Sequence, residues 1–264
     1  MSAPLAIDLF CGLGGWTEGL LAEGYQVVGF DIERHVYGDA RYPAQLVLQD
    51  VLTLHGSQFS DAVLIVASPP CQAYSYRAMP WTRAKALPPP DNSLFEACFR
   101  IQREACEAAG RYIPLVVENV RGAQKWVGRA AWHFGSFYLW GDVPALMPIT
   151  KRHAKVGGLD WSKFGQPGYK AEAFNSTAEQ RLCDDVKNTG GLRPFPLVVL
   201  CRHGSRTSKR KAASAHIAKI PLTLSRHIAR TYRPADERPR HLVSVMGGPD
   251  VSGPSDSCRQ GASR

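Results

Sequence analysis

The sequence predicts an α/β fold, a largely parallel sheet with helices on both faces and a small irregular second lobe. Three observations carry this. Short runs that are almost wholly apolar recur at Leu5–Phe10, Tyr25–Phe30, Ala62–Ala67 and Tyr112–Val117, as expected of strands buried on both faces. Segments with helical spacing fall between them, at Trp16–Leu21 and Leu94–Ala109. Asp31, Asp50, Cys71 and Glu118 each stand just past a strand end, on the rim where ligands of such sheets bind.

Each element has its own signal. The first run, interrupted by Asp8, ends in Cys11-Gly12-Leu13-Gly14-Gly15, a strand entering a tight turn. Trp16, Leu20 and Leu21 share a helix face, and Gly24 can end that helix. Tyr25–Phe30 forms the second strand, closing at Asp31, and Leu46–Leu48 a third, closing at Asp50. Ala62–Ala67 runs into Ser68-Pro69-Pro70-Cys71-Gln72. Ala73–Pro90, rich in aromatics, Arg, Lys and Pro, reads as a loop. The next helix sets Leu94, Cys98, Ile101 and Ala105 on one face. The strand Tyr112–Val117 then leads to Glu118-Asn119.

After Val120 the alternation fades into aromatics, glycines and charges, which reads as the irregular lobe. Phe195–Leu200 resumes a strand, and Pro221–Tyr232 is a short closing helix. From Pro234 the chain is Pro, Gly, Ser and Arg with little to bury, so a disordered tail is expected. The expected parts are a core at 1–120, a lobe at 121–215 that rejoins the sheet near 195–200, a closing segment at 216–233 and a tail at 234–264.

The 264 residues suffice for one core domain and a lobe, and the 44% hydrophobic content for an ordinary core. A formal charge of +9 suits a polyanionic partner such as nucleic acid. The seven cysteines are odd in number and form no C-x-x-C pair, which speaks against a zinc site or a disulfide framework and for a reducing, cytoplasmic setting. No metal is expected. No basic stretch precedes an apolar run at the start, so no secretory leader is expected. No apolar run is long enough for a bilayer. A monomer is the default expectation.

The turn Phe10–Gly15 lets a ligand approach the backbone closely, and amides at the following helix start can hold polar groups. It is neither G-x-G-x-x-G nor a phosphate-binding P-loop. Alone, it could be a tight loop in any α/β protein. Asp31 strengthens the case, since a carboxylate at that strand end can accept from both hydroxyls of a ribose. Asp50 could accept from an exocyclic amine. Cys71 follows two prolines, which stiffen its approach beyond what a structural thiol needs. Cys11, Cys98 and Cys106 read instead as small buried hydrophobes. Glu118 beside a nucleophilic Cys71 would suit covalent chemistry at an electron-poor ring carbon.

These residues, in this order, resemble the cytosine-C5 DNA methyltransferase family. Asp8–Gly15 (DLFCGLGG) is similar to its cofactor motif, and Phe30–Glu33 (FDIE) to its second motif, with Asp31 matching the ribose-binding acid and Ile32 the residue against adenine. Asp50 matches the adenine-binding acid and Leu94 the leucine near the methionyl end. Ser68–Ser75 (SPPCQAYS) resembles the catalytic loop, Glu118–Val120 (ENV) the substrate motif, and Ile217–Ala229 the closing segment. The resemblance implies a Rossmann-like methyltransferase sheet and S-adenosyl-L-methionine as cofactor, with Phe10, Gly12, Gly14, Gly15, Asp31, Ile32, Asp50 and Leu94 around it. It implies double-stranded DNA as partner and a cytosine flipped out of the duplex. Cys71 would add to C6 while Glu118 engages N3 and the exocyclic amine. Pro70, Gln72, Ser75 and Asn119 would line the substrate.

Two departures stand out. The family's Gln-x-Arg-x-Arg segment has no clean copy here; Gln124 and Arg129 follow ENV too soon and at the wrong spacing. Arg202 or Arg206 would substitute as base-holding arginines. Ala218-Lys219 replaces the usual Gly-Asn before Ile220-Pro221. The lobe would read DNA, with Lys151, Arg152, Lys209, Arg210 and Lys211 as phosphate contacts. The compact lobe suggests a phage or prophage enzyme, with a restriction partner open. Two alternatives remain: a tRNA cytosine-C5 methyltransferase, and a catalytically degenerate nucleic-acid-binding homologue.

Overall fold

The apolar runs assemble into one sheet. The computed structural model describes residues 2–75, 86, 88–148 and 208–234. In chain order the elements are β1 (Leu5–Leu9), α1 (Gly15–Ala22), β2 (Gln26–Asp31), β3 (Val36–Tyr37), β4 (Ala40–Arg41), β5 (Gln45–Leu48), β6 (Leu64–Ala67), α2 (Ser93–Ala109), β7 (Leu115–Asn119), α3 (Gln124–Val127), β8 (Trp132–Phe134), β9 (Phe137–Gly141), α4 (Ser208–Ala218) and α5 (Leu222–Tyr232). Short 3₁₀ turns at Val51–Thr53, Gly56–Phe59 and Arg121–Ala123 join them.

The seven-stranded sheet has the order β5-β2-β1-β6-β7-β9-β8. β1 pairs in parallel with β2 and β6, β2 with β5, and β6 with β7. β9 is antiparallel to β7, and β8 to β9. The small β3–β4 ribbon lies apart. After β1 the chain builds outward on one side and then returns to the other with β6. This is the switch point of a Rossmann-like sheet, the place where a crevice opens beyond the strand ends.

Side-chain alternation sorts the core onto two faces. Ile7, Leu9, Ile65, Ala67, Leu115 and Val117 pack with Phe95, Cys98, Ile101 and Ala105 of α2. Ala6, Leu64, Val66 and Val116 pack on the other face with Trp16 and Leu20 of α1 and Leu224 and Ile228 of α5. Both faces are covered, which explains the nearly continuous apolar strands. Helix α2 ends at Gly110, which takes the left-handed conformation (φ 63°) that glycine adopts without strain.

Helices α1 and α5 pack closely because small residues let them. A Cβ on Gly15 would lie 2.4 Å from the Ile220 amide nitrogen, and one on Gly19 2.2 Å from Ser225 Oγ. Tyr25 Oη donates to the Ala229 carbonyl at 2.8 Å, and Arg226 and Arg230 reach Glu23 at 2.6 and 2.9 Å. Gly19→Ala is therefore expected to push α5 off α1 and cost about 1–3 kcal/mol of stability. Urea unfolding measures this; an unchanged midpoint would mean that the interface yields freely.

The structure departs from the sequence reading in four places. β7 starts at Leu115, after Pro114, which has no amide hydrogen to give a ladder. It also runs through Glu118 and Asn119, so both lie within the strand's last turn of pleat rather than past it. Asp31 is likewise the last residue of β2. The sheet does not end at residue 120: β8 and β9 extend it, so residues 132–141 belong to the core sheet rather than to a separate irregular lobe. Gly135-Ser136 is the two-residue turn between them, with Gly135 at φ 61° and Phe134 paired to Phe137. Finally, α4 occupies the end of the basic segment, where Ala212, Ala213, Ala215 and Ala218 favour helix.

The rest of the expected lobe, including the strand at 195–200, lies outside the described residues. The chain divides into units Met1–Arg233 and Pro234–Arg264. The expected tail lies outside the described residues from 235 onward. Among the described residues no helix is long and apolar enough to cross a membrane.

Candidate active site

The turn after β1 is bent over the end of β2. Phe10 has a positive φ of 57°, rare for a residue with a bulky side chain, and Gly12 and Gly14 follow at 50° and 75°. The Cys11 amide donates to the Phe30 carbonyl at 3.1 Å, and the Gly12 amide to Asp31 Oδ2 at 2.9 Å. A Cβ on Gly14 would lie 2.5 Å from the Pro43 ring, so this glycine is required twice over, by φ and by space. Strain of this kind, held by surrounding structure, is typical of ligand clamps.

Asp31 sits at the rim, 8% exposed. Burial alone would raise its pKa. Hydrogen bonds from the His35 ring and from the Gly12 and Glu33 amides outweigh that and hold the carboxyl below the usual carboxylate range. His35 is raised in turn, chiefly by Asp31. Beside this anion, Ile32 is 73% exposed, an apolar face open at the strand end. Asp50 caps the next turn, accepting from the Leu52 amide at Oδ1 at 2.9 Å, and is half-buried. An adenosyl group fits this set: an anion for a ribose, an apolar face for a purine, and a backbone bare of Cβ atoms. Leu94 lines a separate cavity of about 250 Å³ with Pro69, Pro70, Gln72, Ala73, Tyr74, Asp91 and Phe95.

Beneath the turn lies a buried polar chain. Thr17 Oγ1 donates to Asp8 Oδ2 at 2.6 Å and lies 2.7 Å from Tyr42 Oη. Burial pushes Asp8 up to about 8 from 3.8, Thr17 opposing and the Asp31 charge adding. A carboxyl raised in the folded state contributes stability that is complete below 3.8 and is lost as pH rises to about 8. The wild-type protein is expected to lose up to about 1.4 kcal/mol per pH unit across that window through this group. Asp8→Asn should flatten that slope in chemical-unfolding titrations. An equal decline in both proteins would remove Asp8 as its source.

The second half of the site is the loop after β6. Ala67 pairs with Val117, so the loop carrying Cys71 and the strand end carrying Glu118 leave adjacent parallel strands in the same direction. Glu118 is 4% exposed, whereas Cys71 is half-buried. Asn119 Nδ2 donates to the Pro69 carbonyl at 3.0 Å and ties strand to loop. Trp16 Nε1 donates to Ser68 Oγ at 3.0 Å and ties the loop to α1. At its far end the Tyr74 amide donates to the Cys71 carbonyl at 3.0 Å and Tyr74 Oη to Asn92 Oδ1 at 2.9 Å. A Cβ on Gly122 would lie 2.1 Å from the Tyr74 carbonyl oxygen. Cys71 is thus braced on three sides yet open to solvent, a placement suited to a nucleophile.

The other cysteines among the described residues differ. Burial drives the Cys11 and Cys98 thiols upward, away from the thiolate. Cys106 accepts from the Ile113 amide at 3.1 Å. Pro70 and Gln72 are exposed on the loop, and the Ser75 amide closes it by donating to the Gln72 carbonyl at 3.4 Å. Arg202 and Arg206 lie outside the described residues, as do Lys151 and Arg152 and the side chains of Lys209 and Arg210; Lys211 is exposed. Sequence reasoning missed Asn92, Gly122, Trp16 and Tyr42 as supports. Only Gly122, two residues past ENV, carried a signal in its type.

Residues 5–126 match the family model described as C-5 cytosine-specific DNA methylase, so the N-terminal region carries a domain of the cytosine-C5 DNA methyltransferase family. Among solved structures, a DNA modification methyltransferase encoded within an E. coli prophage aligns at 23% identity over 47% of this chain and 34% of its own, with a TM-score of 0.34. The match thus spans about a third of that protein's length. Entamoeba histolytica methyltransferase EhMeth aligns at 11% identity over 88% of this chain and 98% of its own, TM-score 0.47. S. pombe Dnmt2 methyltransferase aligns at 12% over 87% and 98%, TM-score 0.44. No curated protein matches the chain.

Proposed function

We propose that this protein transfers a methyl group to C5 of cytosine in nucleic acid, with Cys71 as nucleophile. The observation that supports this most is the joint placement of Cys71 and Glu118 on adjacent strand ends, with Asn119 fastening one to the other. S-adenosylmethionine, when bound, supplies the methyl group; Asp31, Ile32 and Asp50 would hold its nucleoside and Phe10–Gly15 its polar end. A cytosine leaves its stack to reach the loop. The Cys71 thiolate adds to C6, and its electron pair moves the ring charge toward N3 and C5. Glu118 at N3 and the exocyclic amine offsets that charge. C5 would take the methyl group as its bond to the sulfonium breaks and S-adenosylhomocysteine is left, the C5 proton would pass to water, and the ring would expel Sγ to give 5-methylcytosine.

DNA is our first reading of the polymer, from the family resemblance. A tRNA substrate stands beside it with equal claim on this site, because the chemistry at C5 and C6 is the same in both. The test is methyl transfer from labelled S-adenosylmethionine to duplex DNA and to tRNA, with the modified nucleoside identified by mass spectrometry. 5-Methyldeoxycytidine establishes the first reading and 5-methylcytidine the second. No transfer by folded, cofactor-binding protein would favour a degenerate, binding-only homologue.

A further inference from the structure

Beyond the catalytic loop, a row of side chains crosses the sheet to its edge. Asn119 of β7 pairs with Tyr138 of β9, and Tyr138 with His133 of β8. Residues directly opposite share a face, so Asn119, Tyr138 and His133 stand side by side. The Tyr138 and His133 rings are stacked, centroids 4.9 Å apart at 17°. They open onto a cavity of about 520 Å³ that Gln124, Arg129 and Trp132 also line. That is within the usual range of about 300–1,000 Å³ for ligand sites. Gln124 Oε1 accepts from the Ala130 amide at 3.2 Å and shapes the wall, while Arg129 and His133 are exposed.

Arg129 and His133 line this cavity, no acidic residue does, and the segment that supplies its walls is basic. From Val120 to Gly141 the chain carries Arg121, Lys125, Arg129 and His133, four residues apart, and no acidic residue until Asp142. A cavity with stacked rings, an arginine in its lining and no carboxylate has the make-up of a site for a base and its phosphate. Tyr138, on its wall, pairs across the strands with Asn119, the residue that fastens the Cys71 loop.

We propose that this groove binds the nucleotide adjoining the target cytosine on the same strand, its base against the His133–Tyr138 pair and its phosphate on Arg129. The inference rests on the cytosine reading above, and it deepens that reading by naming where the neighbouring nucleotide sits. It also supplies a use for Gln124 and Arg129, whose spacing after ENV fits no expected motif. The groove positions substrate and takes no part in bond making.

The test reads binding apart from methyl transfer. Fluorescence anisotropy would follow labelled cytosine-containing duplex DNA and RNA, each position beside the cytosine made abasic in turn. His133→Ala should weaken binding about tenfold. That loss should vanish when one particular neighbouring position is abasic. Arg129→Ala should weaken binding at low salt and reduce the slope of log affinity against log salt by about one. Both side chains are exposed, so melting temperature and S-adenosylhomocysteine affinity should stay unchanged. Variants within twofold of wild type on both polymers, with an unchanged salt slope, would overturn the proposal and leave these residues as guards of an open sheet edge. Failure of methyl transfer with the abasic signature intact would overturn the catalytic reading and keep the groove.

Discussion

Cys71→Ala is expected to lower methyl transfer by about four orders of magnitude or more, while cofactor and nucleic-acid affinities stay near wild type. The expectation comes from geometry. A ring carbon at C5 of cytosine is too electron-poor to take a methyl group until a nucleophile has added at C6, so the thiol enters before the transfer rather than assisting it. Cys71 is the half-buried cysteine on the rim loop, held by Asn119, Trp16-bound Ser68 and the Tyr74 turn. Those supports act through backbone and through neighbours, so removing Sγ should leave the loop in place. Single-turnover transfer measures the loss. Cys106→Ala, on α2 where the thiol meets the Ile113 backbone, is the control and should retain most activity. A Cys71→Ala protein within tenfold of wild type would move the nucleophile elsewhere. A second readout is independent of rate: 5-fluorocytosine cannot lose a proton from C5, so wild-type protein should be trapped on the substrate through a peptide containing Cys71.

Much of this site is legible in the sequence for a physical reason. A strand buried on both faces must be apolar along its length, so β1, β2, β6 and β7 announce themselves. Polar residues at their ends then have nowhere to be but the rim. Two prolines before Cys71 mark a loop whose shape matters. Supports that act across the sequence are not legible in this way. Periodicity reports which face a residue takes, and it says nothing of which distant group that face meets. The Asn119 bond to the Pro69 carbonyl joins residues 50 apart, and Tyr42 reaches Thr17 across 25. The β8–β9 hairpin is the instructive miss. Trp132–Phe134 and Phe137–Trp140 are as strand-like as β7, and Gly135-Ser136 between them is a two-residue turn signal. Aromatic crowding made the segment read as irregular, although aromatics are at home in strands.

Glu118→Gln is expected to lower kcat by about 10²–10³-fold with little change in KM. Glutamine keeps the side chain's length and can still donate a hydrogen bond to N3, so substrate binding should survive. It cannot hand over or take back a proton. The charge that appears at N3 when Cys71 adds would then be only partly offset, and the cost falls on the transition state rather than on the bound ground state. The position of Glu118 argues for this role: it is nearly buried at the end of β7, next to Asn119, whose side chain turns to the Pro69 carbonyl. One strand end thus carries two separable duties, charge at Glu118 and loop position at Asn119. Asn119→Ala is the contrasting variant. Losing its bond to Pro69 should cost about 1 kcal/mol of stability and blur the placement of Cys71. Trapping with 5-fluorocytosine should then slow in both variants, but only Asn119→Ala should lower the melting temperature. Equal losses of kcat and stability in Glu118→Gln would make Glu118 a structural carboxylate and leave proton handling to another group.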